Sequence, residues 1–170
     1  DERKVHMEEN MIITISRQYG SGGSQVAKIL AERMGVWCYD RDILTIAAER
    51  IGNEELTEDT INDLNYKRND VASAGITGVM GMGNIPIYNQ MFLEQAKIIR
   101  KLANYGSAVF LGRCADYILK DIKNCTSVYL YADREFRKNR VKEIYGSNAE
   151  IMDKEEKNRA DYYNYYTGNR

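Results

Sequence analysis

Residues 11–34 read Met11-Ile-Ile-Thr-Ile-Ser16, Arg17-Gln-Tyr-Gly-Ser-Gly-Gly-Ser24 and Gln25-Val-Ala-Lys-Ile-Leu-Ala-Glu-Arg-Met34. The apolar, β-branched run predicts a buried strand, the glycines a turn, and Val26, Ile29, Leu30 and Met34 one face of a helix. A strand, glycine loop and helix in that order gathers backbone N–H groups at the positive end of a helix, where an anion satisfies donors that otherwise need water. Phosphate is the first ligand this stretch suggests. A tight strand-to-helix turn, using its glycines only for backbone freedom, accounts for the same letters.

The loop is similar to the phosphate-binding pattern G-x-x-x-x-G-K-[ST], with Gly22 as second glycine and Ser24 as the hydroxyl residue. It departs from that pattern twice. Arg17 replaces the first glycine, and Gly23 replaces the lysine that would grip phosphate.

The chain has 170 residues, 44% of them hydrophobic, enough to bury one core and to form one domain after a short leader, residues 1–10. Met7 is a candidate native start within that leader. Lys+Arg 24 against Asp+Glu 25 leaves a net charge of -1, so composition gives no reason to expect nucleic acid or a membrane as partner. Cys38, Cys114 and Cys125 are widely spaced, and His6 is the lone histidine. That pattern argues for reduced thiols in a cytoplasmic protein and against a zinc site or a Ser-His-Asp triad. The charged leader is unlike a signal peptide, and no apolar run is long enough to span a bilayer.

Beyond Gly35, residues 36–39 predict a second strand, and Asp40 a helix cap or a group facing a ligand crevice at that strand's carboxyl end. Asp42, Ile43, Ile46 and Ala47 then begin a helix. Residues 53–70 are polar, and residues 71–84 hold four glycines with almost no charge, which suits a flap, a contact surface or a plain connector. Residues 87–105 predict a long amphipathic helix with Met91, Ile98 and Leu102 in line, and Phe92, Ile99 and Ala103 beside them. Residues 107–111 and 126–132 read as further strands, the first running into Gly112-Arg-Cys-Ala-Asp116 and the second into Asp133, which starts a helix bearing Arg134, Arg137 and Arg140. Alternating strands and helices predict an α/β fold with a parallel sheet. Ligands of such sheets bind beyond the strands' carboxyl ends, so Ser16, Asp40, Arg113 and Asp133 should border one crevice.

Ile13-Thr-Ile-Ser-Arg-Gln-Tyr-Gly-Ser-Gly-Gly23, Tyr39-Asp40, Gly112-Arg-Cys-Ala-Asp116, Tyr131-Ala-Asp-Arg-Glu-Phe-Arg137 and Asn158-Arg-Ala-Asp-Tyr-Tyr-Asn-Tyr-Tyr-Thr-Gly168 together resemble the cytidylate kinase-like family. The resemblance implies a three-layer P-loop NTPase-like domain over residues 11–170, with a monophosphate-binding helical insertion at about 41–105 and a lid at about 134–165. The resemblance also implies a final strand and helix that the sequence to Arg170 lacks, the expectation being either a shortened chain or a fold without that part. It implies phosphoryl transfer from ATP with Mg2+ to a nucleoside monophosphate, CMP or dCMP first, or to a similar small phosphate acceptor. A nucleotide-binding sensor or interaction module without catalysis is the alternative.

On that template Gly20, Ser21, Gly22, Gly23, Ser24 and Gln25 bind the ATP phosphates, and Ser24 also reaches the magnesium shell. Asp40, Arg41, Arg113, Asp116 and Arg159 bind the acceptor, while Arg17, Arg137 and Arg140 supply charge to the transfer. Arg17 is the candidate substitute for the missing lysine because it opens the loop, with Lys28 as a second choice. The Gly-Arg-Asp of true cytidylate kinases is Gly112-Arg113-Cys114 here, which leaves base preference open. In the bland reading Arg134, Arg137 and Arg140 pair with Glu135 and Glu143, and Tyr162 to Tyr166 are packed helix surface rather than base-stacking rings.

Overall fold

A computed structural model describes residues 10–51 and 87–169. The glycine-rich stretch 71–84 and nearly all of the leader lie outside the described residues. The elements are β1 (Ile12–Arg17), α1 (Gly23–Met34), β2 (Trp37–Tyr39), α2 (Asp42–Ile51), α3 (Ile87–Tyr105), β3 (Ala108–Leu111), α4 (Ala115–Ile118), β4 (Cys125–Leu130), α5 (Arg134–Tyr145) and α6 (Ala149–Thr167).

The four strands form one parallel sheet in the order β2-β3-β1-β4. Ile15 lies opposite Leu111 and Val128, and Tyr39 opposite Phe110, so the carboxyl ends of β2, β3 and β1 come out along one edge. β3 is buried on both faces, as its unbroken apolar run requires between two layers of helix. One core holds Ile12, Ala108 and Phe110 against Ile43 and Ala47 of α2 and Met91, Ile98, Ile99 and Ala103 of α3. The other holds Ile15, Val109 and Leu111 against α1. Phe110 stacks on Tyr39 at 5.3 Å between ring centres, fixing β2 against β3.

The face that α1 presents to the sheet differs from the one its large side chains suggest. Gly23, Ala27 and Ala31 are buried, whereas Val26 and Ile29 are exposed. Small residues four apart let the helix axis approach β1 and β3 closely, and the branched side chains are left to the flanks. The long helix α3 buries Met91, Ile98, Ile99 and Ala103 as its periodicity predicts, with Phe92 and Leu102 partly buried. Among the described residues no helix is long and apolar enough to cross a membrane.

Phe110 is 1% exposed at the centre of the sheet. Phe110→Ala should lower the free energy of unfolding by about 3–5 kcal/mol in urea titrations, the range for emptying a large buried site.

Candidate phosphate-transfer site

The loop leaving β1 is laced to the rest of the sheet before it turns into α1. Gln18 donates its backbone N–H to the Leu130 carbonyl at 2.9 Å, and its side-chain oxygen accepts from the Ala132 N–H at 3.1 Å. Ser21 Oγ closes the turn by donating to the Gln18 carbonyl at 2.8 Å. Gly20 and Gly22 have φ of 79° and 88°, a left-handed backbone that glycine takes without a Cβ penalty.

The glycines are also points of close approach. A Cβ on Gly20 would lie 2.7 Å from Val141 Cγ2 and 3.0 Å from the Arg137 carbonyl oxygen, so α5 rests directly on the loop. The guanidinium of Arg140 lies over Gly22, where Cζ and Nε would be 3.4 Å from a Cβ, and its Nη2 donates to Gln25 Oε1 at 2.8 Å. The stem of Arg17 crosses Gly23, with Cγ 2.6 Å and Cβ 2.7 Å from the place a Cβ would take. Its Nη1 reaches the equivalent place on Gly112. Arg17 thus runs from the end of β1 between the start of α1 and the end of β3, over the two positions where side chains are missing.

The end of β3 carries an unusual backbone. Gly112, Arg113 and Cys114 have φ of 68°, 61° and 55°, three left-handed residues in succession, two of them not glycine. Such conformations persist only where surroundings impose them. Here the Gly112 N–H donates to the Ile15 carbonyl at 2.9 Å and the Ala115 N–H to the Gly112 carbonyl at 3.1 Å, pinning both ends of the turn. The turn drives Cys114 into the core and leaves Arg113 on the wall of a cavity. Burial, and next the charge of Asp116, push the Cys114 thiol up to about 12. Tyr163 donates from its hydroxyl to Asp116 Oδ2 at 2.7 Å, and burial followed by that bond raises it to about 12.

Helices α5 and α6 close the site from the carboxyl-terminal side. Arg134 grips Asp153 through two bonds of 2.6 and 2.7 Å, tying one helix to the other at the surface. Arg137 is buried: its Nε donates to the Ala132 carbonyl at 3.2 Å and its Nη1 to the Tyr19 carbonyl at 3.3 Å. Glu156 accepts from the Tyr19 backbone N–H and lies 3.9 Å from Arg137 Nη1. Arg159 lies over the Tyr19 ring at 4.9 Å, and the Tyr145 ring packs 5.8 Å from it. Lys138 takes Glu135, so the pairing of these arginines differs from a simple local one along α5.

Of the residues singled out in the sequence, Arg17, Ser24, Asp40, Arg41, Arg113, Asp116 and Arg159 line one cavity of about 870 Å3, with Ser16. Gly20, Gly22, Gly23, Ser24, Gln25 and Arg140 line a recess of about 30 Å3 that shares Arg17, Tyr19, Ser24, Tyr145 and Arg159 with it. Ser21 and Arg137 line neither, and Asp133, expected at the same crevice, does not border it. Asp133 is instead the N-cap residue of α5, without a side-chain cap bond. Tyr162 and Tyr166 pack on Phe92, Tyr166 stacked at 3.9 Å, and Tyr162 also lines the cavity together with Tyr163 and Asn164. Sequence reasoning passed over Tyr19, Tyr129 and Glu156. The spacing of Glu156 three residues before Arg159 is the signal that puts both on one helix face.

Two outcomes follow from this packing. Gly23→Ala must push aside the Arg17 stem or the end of β1, and should cost about 1–3 kcal/mol of stability in chemical denaturation, the usual scale of overpacking. An unfolded chain ionises Cys114 near 9.0 and the folded one near 12, so the thiol's contribution is complete below pH 9 and is lost as pH rises towards 12. Cys114→Ala should therefore lose stability less steeply than the parent over that window in pH-dependent melting.

A solved structure of an uncharacterized protein from Eubacterium ventriosum ATCC 27560 is similar at 29% identity and a TM-score of 0.64, over 94% of this chain and 80% of that one. A gluconokinase from Sinorhizobium meliloti 1021 shares the fold at a TM-score of 0.52 and 14% identity, over 88% of this chain and 75% of that one. No curated protein matches the chain. The model of the cytidylate kinase-like family matches residues 12–170, so the sheet, the glycine loop and both carboxyl-terminal helices fall within it, and the chain belongs to that family.

Proposed function

We propose that the protein transfers the γ-phosphoryl group of ATP to a nucleoside monophosphate, CMP or dCMP in the first instance, or to a similar small phosphate acceptor. One observation carries this reading: the glycine-loop recess and the end of the cavity lined by Asp40 and Arg113 meet at Arg17, so donor and acceptor anions would face each other across one guanidinium. Phosphoryl transfer asks a protein mainly to align two polyanions and to neutralise the charge between them. An acceptor oxygen bonds to the γ-phosphorus as the bond from that phosphorus to the β–γ bridging oxygen breaks, and ADP departs.

In this scheme the N–H groups of residues 20–25 hold the ATP phosphates at the start of α1. Arg17 supplies the full charge that Gly23 lacks, and Arg140 closes over Gly22 from α5. Arg113 grips the acceptor's phosphate, with Asp40, Arg41, Asp116 and Arg159 around it. Arg137, assigned in the sequence to the transfer itself, is better placed to hold the loop through the Tyr19 carbonyl. Magnesium needs few protein ligands when phosphates and water complete its shell, and the Ser24 hydroxyl on the cavity wall suits that use. The described residues contain no group of three or more acidic, histidine or cysteine side chains able to hold a metal by themselves.

A coupled ADP-release screen over the nucleoside monophosphates with magnesium tests the proposal. Turnover on at least one of them is expected, and ATP binding without turnover would instead make the chain a nucleotide sensor. With an acceptor in hand, Arg113→Ala should raise its KM by about ten-fold or more while leaving that of ATP within about two-fold. Arg17→Ala should weaken ATP binding in calorimetry. Arg140→Ala should lower single-turnover rates with binding little changed.

A further inference from the structure

Glu156 is an acid among arginines. It sits on α6, lines the large cavity, lies 3.9 Å from Arg137 Nη1, and accepts a hydrogen bond from the Tyr19 backbone N–H at the entrance to the glycine loop. A backbone N–H in such a loop, with guanidinium groups on either side, is where a phosphate oxygen would bind. Tyr19, Arg17, Ser24 and Arg159 line both the recess and the cavity, whereas Gly20, Gly22, Gly23 and Gln25 line only the recess. The entrance held by Glu156 therefore lies on the acceptor side of the loop, where the outermost phosphate of a bound triphosphate would point.

We propose that the Glu156 carboxylate holds the place of the transferred phosphoryl group and so determines how the site discriminates triphosphate from diphosphate. A diphosphate seated at the start of α1 leaves Glu156 on Tyr19. A triphosphate brings a second anion to the same donors and must displace the carboxylate, which shifts α6 and the Arg159 it carries. Glu156 thus costs the triphosphate affinity and leaves the diphosphate unaffected, so the site releases ADP less readily, relative to ATP, than its donors alone would dictate. Like charges compete for one N–H and one set of guanidinium groups, and removing one of them favours the other.

This inference rests on the kinase reading for the placement of the phosphates, and the test separates the two. Calorimetry would measure ADP, ATP and inorganic tripolyphosphate on the parent and on Glu156→Gln, which keeps an oxygen for the Tyr19 N–H and removes the charge. The expected result is ATP and tripolyphosphate binding tighter by about five-fold or more with ADP changed by less than about two-fold. Equal tightening of ADP and ATP, no change, or weaker ATP binding would overturn it. If Glu156→Gln does not fold, Glu156→Asp withdraws the charge by one methylene, and the ratio of ATP to ADP affinity should still rise; a constant or falling ratio overturns the inference. If the parent binds no nucleotide, the kinase reading fails by itself. Tripolyphosphate then decides: binding gained by Glu156→Gln upholds the stand-in role, and none gained ends it.

Discussion

The contact on which the site depends is the passage of Arg17 across Gly23, with its guanidinium against Gly112. Three features of the fold must coincide for it to exist. The parallel pairing of Ile15 with Leu111 sets the ends of β1 and β3 side by side. The buried stripe of Gly23, Ala27 and Ala31 brings α1 down close to that pair. Both residues that flank the arginine lack a Cβ. An arginine stands where the phosphate-binding pattern has a glycine and a glycine where it has a lysine, and the two departures are sterically linked: the side chain absent at Gly23 leaves the space that the Arg17 stem occupies.

The same economy of side chains governs the other glycines. Gly22 leaves room for Arg140, and Gly20 for Val141 and the Arg137 carbonyl, so α5 lies on the loop without intervening side chains. The loop's carbonyl and N–H groups are then taken up by α5 and α6, through Arg137 to the Tyr19 carbonyl and Glu156 to the Tyr19 N–H. Loop and closing helices form one hydrogen-bonded unit. Under the proposed role of Glu156, the outermost phosphate of a triphosphate displaces its carboxylate from the Tyr19 N–H, which would link triphosphate binding to the posture of α6.

Much of this was legible in the sequence, for physical reasons that differ from element to element. Buried parallel strands are short apolar runs, and β3 has that form unbroken while β1 interrupts its isoleucines with Thr14 and Ser16; the ends of β1, β2 and β3 carried the residues that meet at the cavity, Arg17, Asp40 and Arg113 among them. The inner face of α1 was not legible, because hydrophobicity points to Val26 and Ile29 while close packing selects alanine. Arg137 and Arg140 look alike at helical spacing, yet one turns inward to carbonyl groups and the other lies over a glycine, a difference set by the loop beneath them. Nor do Arg113 and Cys114 have any propensity for a left-handed backbone; the turn is imposed by bonds to Ile15 and Ala115 at its two ends. Glu156 was passed over because an acid does not advertise itself in a search for phosphate binders.

The most direct test of the account is a crystal structure of the full chain with ADP and magnesium. The diphosphate should lie on the N–H groups at the start of α1 with the Arg17 guanidinium within hydrogen-bonding distance of the β-phosphate, its stem still crossing Gly23. A diphosphate bound in the loop with Arg17 turned away, or with Lys28 in its place, would contradict the claim that the arginine has taken over the missing lysine's part.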